Sequence, residues 1–307
     1  MPNRHAILTI TLFALIAWLL AAPANAAAHG GQTLDTVRDH LWMWCHEAGS
    51  NNGLYGLPGQ SRMTPAEAAF YMGLPNLIMV VYENKPKPPF DRLAISFRPL
   101  KRVVWSIVGD SSSDRNDKSP DIDAVTSLAA KFPNISGGMM DDFFHAKDAQ
   151  GEIARHGADD IAGFRDRLHG AARKLDLWVV LYKHDLDLPV DKHLANCDVV
   201  TFWTWNASEL TDLTKNFERM ESVAGPARKV LGCYMWDFGA GKPMPLELMK
   251  LQCEKGLAWL KEGRIDGMVF LSSVICDLDI ETVEWTRKWI ASVGDQPLEP
   301  KRARAGK

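Results

Sequence analysis

The stretch Gly137-Gly-Met-Met-Asp-Asp-Phe-Phe144 places two adjacent carboxylates, Asp141 and Asp142, directly after an uncharged apolar run. The run has the length and composition of a buried strand, which we predict over residues 137–142. Two neighbouring carboxylates at the end of such a strand repel each other and resist desolvation. Perturbed groups of this kind are typical of functional sites, so the exit of this strand is a candidate site.

Similar apolar segments recur along the chain and alternate with amphipathic ones from about residue 40 onward. This alternation is typical of a parallel sheet covered by helices. Eight strands are predicted, over residues 40–45, 76–82, 103–108, 137–142, 177–182, 199–205, 230–236 and 267–271. The clearest helical patterns cover residues 64–73, 122–132, 161–175, 210–223, 245–263 and 280–293.

Eight strand and helix units in about 250 residues predict a single-domain α/β fold, the (β/α)8 TIM barrel. The nearly continuous apolar strands agree with the burial that a parallel barrel imposes on both strand faces. The competing architecture is a doubly wound open sheet, which is expected to show a glycine-rich phosphate turn after its first strand. Residues 45–53, CHEAGSNNG, lack that spacing, so the sequence favours the barrel.

The two ends of the chain differ in composition from this barrel. Arg4 and His5 precede an apolar run over residues 6–22, and Ala24-Asn-Ala26 has the pattern of a signal peptidase site. The competing interpretation of the run is a membrane anchor, because it is nearly long enough to span a bilayer. We predict a bacterial signal peptide over residues 1–26, a catalytic barrel over residues 27–295 and a basic flexible tail over residues 296–307. The protein is then secreted or periplasmic and has no membrane association after cleavage.

Charge and cysteine content exclude several classes of protein. The formal net charge is -3, and no basic face is evident, which argues against nucleic acid as a partner. The five cysteines include no Cys-x-x-Cys pair, so neither a zinc ribbon nor a disulfide-dense scaffold is indicated. Export would allow one disulfide to form. A buried free thiol is, however, the commoner state for cysteines beside apolar runs.

Polar and aromatic residues follow every predicted strand. In a barrel, functional residues lie where strands pass into the loops that follow them. The predicted substrate-binding residues are His46, Glu47, Tyr82, Asp110, Lys183, His184, Trp203, Trp205, Asn206, Tyr234, Trp236 and Asp277. Aromatic faces stack on the apolar faces of sugar rings, and acids and amides bond the hydroxyls, so a carbohydrate substrate is predicted.

Asp141 and Asp142 are the central predicted catalytic residues. Glycoside hydrolysis uses one carboxyl as a general acid and a second group that stabilises positive charge at the anomeric carbon. Mutual repulsion and partial burial raise the pKa of one carboxyl while the other stays ionised. In the structural alternative, one aspartate caps a helix or pairs with Lys183 or Arg155.

Residues 137–143, GGMMDDF, resemble the paired-aspartate signature of glycoside hydrolases that use the substrate's own acetamido group as the nucleophile. These are the O-GlcNAcase and hyaluronidase-like enzymes and, more loosely, the chitinases, whose spaced acids ending in Glu are absent here. The resemblance implies an N-acetylated sugar as substrate, with Asp141 polarising the acetamido group and Asp142 as the general acid. It covers one strand end and the barrel layout.

Three alternatives stay open. A retaining mechanism with Asp142 as acid and Asp237 as nucleophile requires carboxyls about 5 Å apart. A barrel metal site would draw on His46, Glu47, His145, His184 and Asp237, although the His-x-His motif after the first strand is missing. A secreted barrel that binds carbohydrate without cleaving it would use the same aromatic rim. The prediction is an exported glycoside hydrolase without metal or cofactor.

Overall fold

The structure is a computed structural model, and it describes residues 35–299. At its centre, eight parallel strands form a closed barrel, in which neighbours in the chain are neighbours in the sheet. The strands β1 to β8 are Leu41–Cys45, Asn76–Met79, Arg102–Val108, Ile135–Met140, Asp176–Tyr182, Val199–Trp203, Arg228–Tyr234 and Gly267–Leu271. The barrel closes where Leu41 of β1 pairs with Met268 of β8. The predicted (β/α)8 barrel is confirmed.

A helix follows each strand. The helices α1 to α8 are Pro65–Met72, Asp91–Ser96, Ile122–Lys131, Ala158–His169, Asp191–Leu194, Leu213–Ala224, Leu246–Lys261 and Glu281–Val293. Helix α1 starts with a capping box, in which Thr64 and Glu67 bond each other's backbone N–H groups and Pro65 takes the first helical position. Helices α2 and α5 have 6 and 4 residues, too few for the helical period to be visible in the sequence.

Short 3-10 helices complete the connections, at Val37–His40, Lys183–Asp187, Ala207–Asp212 and Ser273–Ile275. The strands β2, β4, β6 and β7 end before the predicted position, because the chain leaves the barrel ladder for local turns. Beyond β2, Tyr82 pairs with Lys85 across a tight turn. Beyond β7, Trp236–Asp237 pairs with Lys242–Pro243 in a small hairpin. The side chains past these strand ends therefore follow loop geometry and not strand alternation.

The core fills both faces of the strands. Every residue of β1, β2, β6 and β8 is buried, because one face points into the barrel and the other packs against helices. Inside the barrel, Trp44 and Trp203 meet edge to face with ring centroids 5.2 Å apart. A Cβ atom at Gly232 would lie 2.0 Å from the ring of Trp203, so only glycine leaves room for this indole.

The two ends of the described chain meet. The N–H of Val37 donates to the carbonyl of Gln296 at 3.0 Å, and that of Leu298 donates to Asp35 at 2.8 Å. The first residues of the predicted tail are therefore paired with the start of the barrel. The predicted signal peptide and residues 300–307 lie outside the described residues.

Between residues 35 and 299, no helix is long and apolar enough to cross a membrane. All five cysteines are buried free thiols.

Candidate active site

A cavity of about 720 Å³ opens among the loops that follow the barrel strands. This volume is in the usual range for a small-molecule site, roughly 300–1,000 Å³. Eight predicted site residues line the cavity, namely His46, Tyr82, Asp110, Asp141, Asp142, His184, Trp205 and Tyr234. The structure thus brings together the two central carboxylates and half of the predicted binding residues.

Asp141 is the first residue after β4 and is only 4% exposed, although its side chain lines the cavity. Its N–H donates to the carbonyl of Val108 at 3.1 Å, which anchors this position to the end of β3. Burial raises the pKa of the Asp141 carboxyl well above its ordinary value, and the nearby charges of Asp142 and Asp110 raise it further. Asp141 therefore keeps its proton to a higher pH than an ordinary aspartate does.

Asp142 has a different environment. One carboxylate oxygen accepts hydrogen bonds from the N–H and the hydroxyl of Ser111, at 3.1 and 2.9 Å. The other accepts a hydrogen bond of 2.6 Å from the hydroxyl of Tyr182. The side chain of Asp142 is the acceptor in all three bonds. Its φ of 38° lies in the left-handed region, an unfavourable conformation for aspartate of the kind that proteins retain at functional sites.

The loop after β3 supports both aspartates. Asp110 accepts hydrogen bonds of 2.6 Å from the hydroxyls of Ser112 and Ser113. Arg155, from the segment after β4, donates to backbone carbonyls of this loop and to the carboxylate of Asp117. The sequence suggested Arg155 only as a partner for the paired aspartates. Its real partners lie 38 to 46 residues away in sequence, and no local pattern reveals them.

One wall of the cavity is aromatic. Trp205 meets Tyr234 edge-on at 5.6 Å and Tyr182 edge-on at 6.2 Å, and Phe238 packs against Tyr55 at 5.3 Å. Burial and the charge of Asp142 raise the pKa of the Tyr182 phenol well above its ordinary value, so this hydroxyl stays protonated and can donate. Tyr55 and Phe238 were not predicted as site residues; their aromatic character in loops was the available signal.

Two predicted histidines have distinct roles at the cavity. His46 is buried, and this burial lowers its pKa to about 4, so its ring is neutral near pH 7. Its Nδ1 lies 3.1 Å from the hydroxyl oxygen of Ser272. His184 stacks on Tyr182 with ring centroids 5.1 Å apart. His46 is therefore a neutral hydrogen-bonding group, and His184 extends the aromatic wall.

The predicted ligand-covering roles of Trp203 and Trp236 need correction. Trp203 is 1% exposed, and its Nε1–H donates to the hydroxyl of Thr201 at 2.9 Å inside the barrel. Trp236 is 3% exposed, and its Nε1–H donates to the carbonyl of Tyr55 at 2.9 Å. Neither indole lines the cavity. Trp203 fills the core, and Trp236 fastens the loop that carries Tyr55.

Asp237 does not share the cavity lining with Asp142. It is 3% exposed, does not line the cavity, and accepts hydrogen bonds from the N–H groups of Ala207 and Ala240 at 3.4 and 3.2 Å. The predicted nucleophile is therefore a loop-capping residue.

Four further predicted binding residues also lie outside the cavity lining, namely Glu47, Lys183, Asn206 and Asp277. Lys183 is paired with Glu209 at 2.7 Å, and Asp277 accepts the N–H of Arg62 at 2.9 Å.

The histidines proposed as metal ligands do not assemble with other ligands. Over residues 35–299, no group of three or more His, Cys, Asp or Glu side chains has the arrangement of a metal site. The Nδ1 of His145 lies 2.8 Å from the carbonyl oxygen of Ala146, and that of His46 is directed to Ser272. The metal-hydrolase alternative therefore finds no ligand set among these residues.

No family model matches the chain, and no curated protein sequence matches it. Solved structures of similar fold include a β-glucuronidase of Bifidobacterium dentium complexed with coumarin-3-O-glucuronide, with 11% identity and a TM-score of 0.55 over 87% of this chain and 48% of that chain. A putative α-L-fucosidase of Bacteroides thetaiotaomicron has 10% identity and a TM-score of 0.52 over 75% of this chain and 87% of that chain. The chain spans about half the length of the β-glucuronidase. At such identities the likeness shows the (β/α)8 fold alone.

Proposed function

We propose that this chain is a glycoside hydrolase that cleaves a glycosidic bond in an oligo- or polysaccharide. The observation that carries the proposal is the contrast between two adjacent carboxyls in one sugar-sized cavity. Burial raises the pKa of Asp141, whereas Asp142 accepts three hydrogen bonds. Glycosidases separate their acid from their charged carboxylate by this kind of environmental difference.

The geometry supports a reversal of the roles that the sequence resemblance implies. A general acid must hold a proton near neutral pH, and Asp141 is the carboxyl whose pKa is raised. We therefore propose Asp141 as the general acid and Asp142 as the carboxylate that faces the anomeric carbon. Participation of a substrate acetamido group stays a prediction, because it depends on the sugar.

In the proposed reaction, Asp141 gives its proton to the glycosidic oxygen as the bond to the anomeric carbon breaks. Asp142 stabilises the positive charge that develops on that carbon. Tyr182 holds Asp142 in place through its hydroxyl, and Trp205 with Tyr234 offers aromatic faces to the sugar. A water molecule then supplies hydroxide to the anomeric carbon, and its other proton restores the acid.

The first test is hydrolysis of a panel of aryl glycosides, with Asp142→Asn and Asp166→Asn measured in parallel. Asp166 is exposed on α4 and serves as a control for the same chemical change. The wild type is expected to hydrolyse at least one glycoside, Asp142→Asn to be inactive on it, and Asp166→Asn to retain full activity. No turnover across the panel together with intact sugar binding would contradict the hydrolase and favour a carbohydrate-binding protein.

Tyr182→Phe is expected to lower kcat about tenfold and to leave KM nearly unchanged. The substitution removes one hydroxyl that donates to Asp142, and a hydrogen bond to a charged group is worth about 1.5–3 kcal/mol. The loss falls on kcat because Tyr182 acts through Asp142 in the transition state. Steady-state kinetics on the best aryl glycoside measures this split. A rise in KM with unchanged kcat would instead make Tyr182 a simple binding residue.

A further inference from the structure

The charge of the cavity bears on the substrate class. Five carboxyl groups line it, namely those of Asp110, Asp114, Asp117, Asp141 and Asp142. Among the lining residues of the described chain, Arg155 is the only lysine or arginine. His46 adds no positive charge near pH 7, because burial lowers its pKa to about 4. Asp141 adds no negative charge while it is protonated, and Arg155 offsets one of the other four carboxylates, so the cavity carries an excess of negative charge.

Arg155 has no hydrogen-bond donor left for a ligand. A guanidinium offers five N–H groups. Its Nε–H donates to Asp117 at 2.9 Å, and its Nη1 donates to the carbonyls of Gly109 and Asp110 at 2.6 and 3.1 Å. Its Nη2 donates to the carbonyl of Ser113 and again to Asp117. The guanidinium is thus committed to the loop after β3, and an acidic sugar would find no free lysine or arginine in the cavity lining of the described chain.

Other carboxyl groups of the cavity, unlike Arg155, have no ion-pair partner in the described chain. Neither Asp114 nor Asp142 has an ion-pair partner within residues 35–299; the carboxylate of Asp114 accepts only the side-chain amide of Asn84, at 2.9 Å. Asp141 is 4% exposed, and its Oδ2 has no hydrogen-bond partner in the same range, although the side chain lines the cavity. Carboxylates concentrated in a confined cleft attract cations and repel anions.

Resting on the proposed function, we propose that the substrate is an oligosaccharide of aminohexoses whose amines are free and protonated. The ammonium groups pair with Asp114 and Asp142, which lie on the same side of the cavity, since Asp142 is bonded to Ser111 of the loop that carries Asp114. The carboxylates of the cavity would repel acidic sugars, such as the glucuronide bound to the similar β-glucuronidase. An amine-bearing substrate has no acetamido group, so the substrate-assisted route does not apply to it.

Binding of defined trisaccharides by calorimetry tests this inference independently of turnover. The protein is Asp141→Asn, in which an uncharged amide replaces a carboxyl that burial keeps protonated. Glucosamine or galactosamine trimers are expected to bind at least about tenfold more tightly than their N-acetylated counterparts, a difference of about 1.4 kcal/mol. A galacturonic acid trimer is expected to show no binding. The preference for the amine should fall in Asp114→Asn, stay unchanged in the exposed control Asp166→Asn, and weaken as salt is raised.

Equal or tighter binding of the N-acetylated trimers, binding of the acidic trimer, or absence of binding by all trimers would overturn the inference. Wild-type protein measured in the same way guards against a folding defect in the variants. Amine-selective binding without any cleavage by the wild type would uphold the inference and defeat the proposed function. Hydrolysis of neutral glycosides with no preference for amines would uphold the proposed function and defeat the inference.

Discussion

Asp141→Asn is expected to lower kcat/KM about 10³-fold on glycosides with poor leaving groups, because a positioned general acid contributes roughly 10²–10⁴-fold. Asparagine keeps the shape of the side chain and its contact with the N–H of Asp142, but it cannot give up a proton. Substrates whose leaving group needs no protonation, such as dinitrophenyl glycosides, should recover most of the rate. A uniform loss across all leaving groups would instead assign Asp141 a role other than proton donation.

The pH profile gives a second readout of the same residue. Since Asp141 must be protonated to act as the acid, kcat/KM is expected to fall as pH rises through its pKa. Burial raises this pKa from 3.8, which extends the active range upward from the acid side. The alkaline limb should be absent in Asp141→Asn when it is measured on an activated substrate. An identical alkaline limb in the variant would show that another group sets it.

The same substitution should stabilise the protein. Because the folded state raises the pKa of Asp141, its contribution to stability is fully present below the unfolded-state pKa and is lost as pH rises through the folded-state pKa. The asparagine that Asp141→Asn introduces does not titrate, so the variant should have a higher Tm than wild type at pH 8 and a smaller difference at pH 4. Equal pH dependence of Tm in both proteins would contradict the burial of an ionisable carboxyl here.

Trp203→Ala is expected to reduce the free energy of unfolding by about 3–5 kcal/mol, the usual loss for a large aromatic side chain removed from a core. Trp203 is 1% exposed and packs on Trp44 and Tyr234, with ring centroids 5.2 and 5.1 Å away. The neighbouring Trp205 is the matched control, because it lines the cavity and is only partly buried. Urea unfolding measures both variants.

Trp205→Ala should change stability much less and weaken sugar binding about tenfold, since it removes one stacking face of roughly 0.5–1.5 kcal/mol together with its contact area. The two tryptophans thus separate core packing from ligand contact at one strand end. A reversed outcome, with Trp203→Ala stable and defective in binding, would restore the role that the sequence pattern assigned to Trp203.

The sequence by itself determined the barrel, because alternation of apolar strands with amphipathic helices is a local property that can be read along the chain. It also located Asp141 and Asp142, since a carboxylate pair directly after an apolar run is visible without any partner. Trp205 was predicted as a binding residue because a large indole follows an apolar strand there, and it lines the cavity. Residues of this kind can be identified from the sequence because their place at a strand end is enough to mark them.

Only the tertiary structure decided what individual side chains contact. Trp203 and Trp205 lie two residues apart at the end of β6, yet one fills the barrel and the other lines the cavity, because strands buried on both faces carry no polar alternation that marks where the core ends. The hydrogen bond from Ala207 to Asp237 and the hydrogen bonds of Arg155 join loops that lie 30 to 46 residues apart in the sequence. Such contacts are set by barrel closure and loop packing, which no local pattern encodes.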